Sequence, residues 1–275
     1  MSTDWRAGLW ASVDIETTGA GPEDCIVEIA VVLWGAGRRA AQASWSALVN
    51  PMMPIPAEAT AVHGITDAMV RDLPTIESHR ADIERLLDDA DIVTGYNLYA
   101  FDEPFIEREL PGIFKGRHII DPFVVVRSSH VGKFWKSDFV DRSCAICDED
   151  KPESERSTAK PAGRHALSSV VERFGCGGPE SGFEAQAHRA AWDALLASRV
   201  LCEVVGFCSS DAATCEARLR AEKARQDAEH DAFRERMKGN DAAKRERRKA
   251  SLALRVQELE AKVRRLQAQL GEVAA

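Results

Sequence analysis

The stretch Val13-Asp14-Ile15-Glu16-Thr17-Thr18-Gly19 decides the fold more than any other part of the chain. β-type residues from Leu9 onward lead into it, so it predicts the carboxyl end of a first strand. Residues i and i+2 of a strand project to the same side, so Asp14 and Glu16 face one cleft. Because ligands of open α/β sheets bind at the carboxyl ends of strands, the stretch predicts a site as well as a strand.

Further acidic residues stand in recognisable surroundings later in the chain. Asp102 follows Phe101, and Asp193 ends the run that begins with His188. Acidic side chains gathered at one point repel each other, so a fold that collects four of them needs divalent cations. Two hard ions held by carboxylates, Mg²⁺ or Mn²⁺, are a common device for cleaving phosphodiesters. The pattern therefore predicts a metal-dependent nuclease.

The composition is that of a globular protein without export or membrane signals. With 275 residues, 45% of them hydrophobic, the chain can bury a full core in one or two domains. Its start lacks the basic and apolar runs of a secretory signal, and no stretch approaches the roughly 20 apolar residues that span a bilayer. Seven cysteines at irregular spacing are not a disulfide framework. We expect a soluble, cytoplasmic protein with no membrane partner.

The net charge of −8 is unevenly distributed. Residues 1–208 carry 20 basic and 32 acidic side chains, a net −12, whereas residues 209–275 carry 16 and 12, a net +4. An acidic catalytic part argues against strong non-specific duplex binding, which requires many neutralised phosphates. It is compatible with a nuclease that holds only a strand end, because bound cations locally reverse the sign of an acidic cleft.

The hydrophobic periodicity predicts an α/β architecture with the order β-β-β-α-β-α-β-α-α. The predicted strands are Leu9–Ile15, Ile26–Trp34, Ser44–Val49, Asp91–Tyr96 and Arg117–Ile120. The predicted helices are Thr75–Leu87, Glu103–Leu110, residues 165–174 and residues 189–206, and Pro51–Thr66 is a Pro-rich connection. Residues 128–164 are polar and aperiodic, which predicts a loop-like insertion.

Together with their neighbours, these acids make the sequence resemble the DEDD exonuclease superfamily, whose bacterial type case is the proofreading subunit of DNA polymerase III. The matching residues follow the order of the histidine-bearing branch (DEDDh) over about residues 9–206: Asp14, Glu16, Thr17-Thr18-Gly19, Val62-His63-Gly64-Ile65-Thr66, Asn97, Phe101-Asp102, His188 and Asp193. The resemblance implies a ribonuclease H-like fold, with a five-stranded mixed sheet flanked by helices. It also implies hydrolysis of single strands from the 3′ end.

The resemblance assigns a role to each catalytic residue. Asp14 would bridge two Mg²⁺ or Mn²⁺ ions, Glu16 and Asp193 would complete the site of the ion that holds the attacking water, and Asp102 would support the second ion. His188 would be the general base. Five residues on a regular helix rotate about 140° out of alignment. His188 and Asp193 can therefore share a site only if His188 lies on the loop or first turn that enters the helix.

The resemblance also implies how the strand end is held. Thr17 and Thr18 would meet the terminal nucleotide and its 3′ hydroxyl, and His63 and Phe101 would lie against the last bases, where stacking tolerates any sequence. Ordinary packing remains the alternative for His63 and Phe101. Asn97 would be a further substrate contact. Three residues separate it from Phe101, whereas the proofreading type more often has two.

The insertion contains a possible second metal site. Cys144 and Cys147 form a CxxC pair, which would bind Zn²⁺ with Cys176, His130 or His165 as partners. The alternative is a pair of free thiols in a loop.

The C-terminal part has a different character from the exonuclease-like residues 1–208. Residues 209–240 predict a charged helical linker, and residues 241–275 predict a coiled-coil helix. Apolar residues recur along this helix at alternating spacings of four and three, which is typical of a coiled-coil seam: Leu252, Val256, Leu259, Val263, Leu266, Leu270 and Val273. We expect a homodimer or a polymerase or repair partner at this seam. A helix packed on its own domain is the alternative.

Three functions stay open on sequence alone. The leading hypothesis is a 3′→5′ exonuclease that acts on single-stranded DNA in proofreading or end trimming. The second is RNA 3′-end trimming, and the third is a non-catalytic scaffold that recruits a polymerase or repair complex through the C-terminal helices. The presence of every acid of the motif, together with His188, argues against the scaffold.

Overall fold

The β-branched and aromatic runs of the chain form a five-stranded mixed sheet in this computed structural model, which describes residues 4–127, 166–178, 188–205, 210–228 and 231–232. The strands are β1 Leu9–Thr17, β2 Ile26–Gly35, β3 Ala40–Leu48, β4 Ile92–Thr94 and β5 Ile119–Ile120. Their order across the sheet is β3-β2-β1-β4-β5. β1, β2 and β3 form an antiparallel meander, and β4 and β5 run parallel to β1.

Helices flank the sheet and connect its parallel strands. In chain order they are α1 Ala57–His63, α2 Asp67–Val70, α3 Arg80–Asp88, α4 Asp102–Glu109, α5 Pro122–Arg127, α6 Leu167–Phe174 and α7 Ala190–Val204. A further helix, α8, covers the described residues 212–228. The predicted five-stranded mixed sheet with flanking helices is therefore confirmed. None of the described helices combines the length and the hydrophobicity that crossing a membrane requires.

The two faces of the sheet pack on different helices. On β1, Trp10 lies in a core cluster with Trp192 of α7, whereas Val13 lies in the cluster that contains residues of α3 and α4. Side chains alternate along a strand, so Asp14 and Glu16 face the side on which α7 packs. Cover on both faces also explains why every residue of β2 is buried.

The predicted elements occur in the predicted order, but their ends differ. β3 starts at Ala40 rather than at Ser44, and the helix predicted over Thr75–Leu87 is a 3₁₀ turn followed by α3. The predictions missed α1, α2 and α5, which are only four to seven residues long. Pro56 occupies the N-cap of α1 and Pro122 is the first residue of α5. Both prolines are typical of helix starts, but the sequence pattern predicted only a connection over Pro51–Thr66 and no helix directly after Ile120.

The chain divides into two compact units, Met1–Glu222 and Lys223–Ala275. The start of α8 belongs to the first unit, although the sequence predicted a charged linker there. Cys215 and Leu219 are fully buried in the cluster that contains α7 residues, and Arg220 donates to both carboxylate oxygens of Glu103. The coiled coil over residues 241–275 and the insertion over residues 128–164 lie outside the described residues and stay predictions.

Gly95, which follows β4, lies too close to β1 for any side chain. A Cβ at this position would lie 2.6 Å from the carbonyl oxygen of Val13, which cannot move without shifting the strand that carries Asp14. We expect Gly95→Ala to lower the free energy of unfolding by about 1–3 kcal/mol, as overpacking does. Gly178→Ala is the control, because among the described residues no atom lies within 4 Å of a Cβ there. Urea unfolding measures both variants, and equal stabilities would contradict the close approach.

Candidate active site

β1 and the start of α4 bring three of the predicted carboxylates to one place. Asp14 and Glu16 lie on β1, and Asp102 is the first residue of α4. The backbone N–H of Ile15, between the two β1 acids, donates a hydrogen bond to Asp102 Oδ1 at 3.1 Å. Asp102 is 3% exposed, so its carboxylate is anchored in the interior by the backbone of β1.

His188 and Asp193 enter the site from the N-terminal end of α7. Asp193 lies in the first turn of this helix, and His188 precedes the helix by two residues. The His188 N–H donates to Asp193 Oδ2 at 3.0 Å. One potential ligand atom from each of Glu16, His188 and Asp193 lies within 4.8 Å of the other two. His188 therefore reaches the same site as Asp193 because it stands before the helix, as the sequence argument requires.

Burial and mutual repulsion favour the protonated forms of these carboxyls. Burial raises the pKa of Asp14 well above its ordinary value, and the neighbouring acids, Asp102 first, raise it further. Burial, followed by the charge of Asp193, raises the pKa of Glu16 to about 8. Burial also raises the pKa of Asp102 to about 8 and shifts the pKa of Asp193 upward. The site is thus a place where negative charge is costly without a compensating cation.

This donor set fits divalent cations. Carboxylate oxygens are the ligands that Mg²⁺ and Mn²⁺ prefer in proteins. A cation placed among Asp14, Glu16, Asp102 and Asp193 would reverse the local balance and favour their ionised forms. The described residues therefore contain a group suited to hard metal ions, in agreement with the metal-binding prediction.

The turn after β1 is fixed by its own hydrogen bonds. The Thr17 hydroxyl donates to the carbonyl oxygen of Gly19 at 2.6 Å. The Thr18 hydroxyl donates to Asp24 Oδ1 at 2.9 Å and accepts the N–H of Cys25 at 3.0 Å. Both hydroxyls that were predicted to meet a terminal nucleotide therefore have internal partners. Their contact with substrate stays a prediction.

His63 is buried beneath this turn. It is 5% exposed, and the N–H of Ile65 donates to its Nδ1 at 3.0 Å. Nε2 therefore carries the proton, and it lies 3.2 Å from the carbonyl oxygen of Thr17, to which it donates. Burial lowers the pKa of His63, which favours this neutral form. His63 supports the end of β1, and its predicted contact with bases stays a prediction.

The loop before α4 carries the other two predicted substrate residues. Asn97 adopts a left-handed conformation, with φ 69°, and its N–H donates to the buried carboxylate of Asp121 at 3.1 Å. Asp121 also accepts the N–H of Tyr99 and so stabilises the loop between β4 and α4, which has three residues between Asn97 and Phe101. Phe101 is half-buried, and its ring centroid lies 5.1 Å from that of Phe105. No substrate contact of Asn97 or Phe101 follows from this packing, and both stay predictions.

Sequence reasoning missed two residues of the site, Glu28 and Arg189. Glu28 on β2 is the register partner of Glu16 on β1. Arg189, between His188 and α7, forms an ion pair with Glu28 at 2.8 Å. The available signal was an acidic residue inside the apolar strand Ile26–Gly35, because a charge at a buried strand position requires a partner.

The predicted zinc site cannot be placed on the structure as a whole, because Cys144, Cys147, His130 and His165 lie outside the described residues. Cys176 is described and half-buried. Its thiol donates to a backbone carbonyl oxygen at 3.7 Å, and burial raises its pKa to about 11. Zinc binding stays a prediction.

Comparison with known proteins identifies the class of this domain. Residues 12–132 match the family model described as Exonuclease, and this range includes Asp14, Glu16 and Asp102. These residues are therefore similar to the exonuclease family, which agrees with the predicted resemblance to the DEDD exonucleases. This similarity agrees with the predicted nuclease class.

Two relatives give more particular likenesses. A DNA polymerase III subunit epsilon-like protein of Rhodobacter capsulatus is 43% identical over 98 residues, which are 35% of this chain and 14% of that protein. An uncharacterised exonuclease of Escherichia phage 186 is 49% identical over 75 residues, which are 26% of this chain and 36% of that protein. The chain thus spans well under two thirds of either relative's length.

A solved structure extends the likeness to most of the chain. The fold resembles exonuclease X in complex with 5′ overhanging duplex DNA, with a TM-score of 0.52 and 21% identity, covering 76% of this chain and 99% of that one. At 21% sequence identity the comparison supports a shared fold and nothing more specific. The predicted ribonuclease H-like architecture is confirmed.

The buried carboxyls make the stability of the metal-free protein depend on pH. Glu16 has an ordinary pKa of 4.5 and a pKa of about 8 in the fold, so the folded state keeps a proton that the unfolded state loses. Stability therefore falls as pH rises from about 4.5 to about 8. We expect the free energy of unfolding in EDTA to be lower at pH 8 than at pH 5, with a smaller fall in Glu16→Gln. Denaturant unfolding at both pH values measures this. A fall of the same size in both proteins would contradict the burial of this charge.

Proposed function

We propose that the protein is a 3′→5′ exonuclease that hydrolyses phosphodiester bonds at the 3′ end of single-stranded DNA, in proofreading or end trimming. The observation that carries this proposal is the meeting of Glu16, His188 and Asp193 within 4.8 Å, beside the Asp14 and Asp102 carboxylates. DNA is favoured over RNA because the Rhodobacter capsulatus relative is a DNA polymerase III subunit epsilon-like protein.

The four carboxylates would hold two divalent cations, Mg²⁺ or Mn²⁺. Asp14 would serve both ions, Glu16 and Asp193 the first, and Asp102 the second. When bound, such ions supply Lewis acidity and charge neutralisation at the scissile phosphate. The hydrogen bonds of Asp102 with β1 and of Asp193 with the His188 backbone hold these two carboxylates in defined orientations.

His188 is the proposed general base. His188 is exposed, so its imidazole is accessible to a water molecule that attacks the phosphate. A histidine at this place can accept the proton of that water and release it to solvent. The backbone bond to Asp193 keeps the residue beside the carboxylates without using either ring nitrogen.

The strand end would lie along the turn after β1. Internal hydrogen bonds of the Thr17 and Thr18 hydroxyls give this turn a rigid surface for the terminal nucleotide. His63 supports the turn from beneath, through its contact with the carbonyl oxygen of Thr17. The half-buried ring of Phe101 offers a stacking surface that accepts any base, and Asn97 lies on the same loop.

A strand-labelling experiment tests the reaction and its direction. We expect Mg²⁺-dependent release of a 3′ label from single-stranded DNA as a mononucleotide, while a 5′ label appears on products that shorten progressively. Asp14→Asn and Glu16→Gln should each reduce the rate by at least about 100-fold, since even outer partners of metal ligands contribute 10–100-fold. Asp82→Asn, which changes an exposed acid of α3, is the matched control.

Four outcomes of that experiment would contradict the proposal. Early release of the 5′ label would overturn the polarity, and unchanged rates in Asp14→Asn and Glu16→Gln would overturn the nuclease site. A matched RNA oligonucleotide degraded faster than its DNA counterpart would favour RNA trimming. Absence of any degradation would favour a non-catalytic scaffold.

The C-terminal residues 241–275 are proposed to form a dimer seam, with a polymerase or repair partner as the alternative. The proposal rests on the heptad spacing of their apolar residues. We expect removal of residues 241–275 to reduce the mass measured by light scattering from that of two copies to that of one truncated copy, and to leave the hydrolysis rate within about threefold. A full-length chain that has the mass of one copy would contradict the dimer.

A further inference from the structure

A partly buried ion pair ties the entrance of α7 to the sheet. Glu28 on β2 is 2% exposed. Its Oε2 accepts Arg189 Nε at 3.2 Å and its Oε1 accepts Arg189 Nη2 at 2.8 Å. The Ala190 N–H, the first of α7, also donates to Glu28 Oε2, at 3.3 Å. One carboxylate therefore binds both an arginine fork and the N-terminus of the helix, where negative charge is favoured.

These contacts flank His188 on its C-terminal side. The backbone of His188 has φ 60°, a conformation that a residue with a side chain rarely adopts unless its surroundings impose it. Its N–H is held by Asp193, and the two residues that follow it are held by Glu28. The backbone that carries the imidazole is thus held on both sides of His188.

The placement of Glu28 also has an electrostatic consequence. As the register partner of Glu16, it adds a fifth carboxylate to a region where repulsion already opposes ionisation. The guanidinium of Arg189 compensates this charge directly. A buried charge left without its partner is strongly unfavourable, so the pair must be retained together.

We propose that Arg189 and Glu28 are positioning residues for the hydrolysis, acting through His188 and Asp193 rather than by touching the nucleic acid. This inference rests on the proposed exonuclease function. The ion pair orients the base and the α7 carboxylate in the way that outer partners orient metal ligands and catalytic groups. Its loss should impair the reaction after the substrate has bound.

Steady-state kinetics on single-stranded DNA separates this role from substrate binding. We expect Arg189→Met to lower kcat by about 10–100-fold, with KM changed by less than about threefold. Arg189→Lys should recover part of the loss, because an ammonium group keeps the charge but cannot form the two-point contact. Arg199→Met is the matched control on the same helix. Arg199 donates to the carbonyl oxygens of Cys176 and Gly178 and should be dispensable for kcat.

A double-variant cycle tests whether Arg189 acts through His188. In a His188→Gln background, Arg189→Met should lower the remaining rate by a smaller factor than in the wild type, because one of the two groups that it positions is gone. Hydrogen exchange provides a readout that does not depend on activity. The Ala190 amide should lose protection in Arg189→Met, whereas amides in the centre of α7 keep theirs. Should Arg189→Met fold poorly, Arg189→Lys serves in both measurements with smaller expected effects.

The outcomes distinguish this inference from the proposed function. An inactive wild-type protein would overturn the nuclease proposal itself. With an active wild type, an equal loss in the wild-type and His188→Gln backgrounds, or a raised KM with unchanged kcat, would overturn the positioning role. Unchanged protection of the Ala190 amide would also overturn it.

Discussion

Repulsion among buried carboxylates is the constraint on which the site depends. β1 places Asp14 and Glu16 on the face that α7 covers, and the starts of α4 and α7 add Asp102 and Asp193. Each of these acids is more readily protonated in the fold than in water. The fold keeps them together because backbone N–H groups anchor Asp102 and Asp193 and because the surrounding apolar core is extensive. A divalent cation placed among these carboxylates would offset their repulsion.

Two residues near the site have a left-handed backbone conformation. His188 and Asn97 both have positive φ values, and both precede a helix that starts with or near a site carboxylate. A left-handed residue at the entrance turns the chain sharply, so His188 can lie beside Asp193 instead of rotating away from it along the helix. Backbone hydrogen bonds to the carboxylates of Asp193 and Asp121 retain these conformations. Strain at functional sites persists where surrounding contacts impose it.

Local patterns predicted the sheet and the convergence of acids well. Alternation along Leu9–Thr17 and the spacing from His188 to Asp193 contain the relevant geometry within a few residues. Contacts between distant segments were not readable in this way. The Glu28–Arg189 pair joins residues 161 positions apart, and no local period connects them. The burial of Cys215 and Leu219 was missed because charged neighbours dominate that stretch, and the short helices were missed because one or two turns carry too little periodicity.

The central claim is that residues far apart in sequence form one cation site. Crystals soaked in Mn²⁺ and measured near the manganese absorption edge test it most directly, since anomalous scattering locates each ion independently of the protein atoms. The account predicts anomalous peaks in contact with carboxylate oxygens of Asp14, Glu16, Asp102 and Asp193, and their loss in Asp14→Asn. Peaks confined to other acidic surfaces, or a site without manganese at saturating concentration, would contradict it.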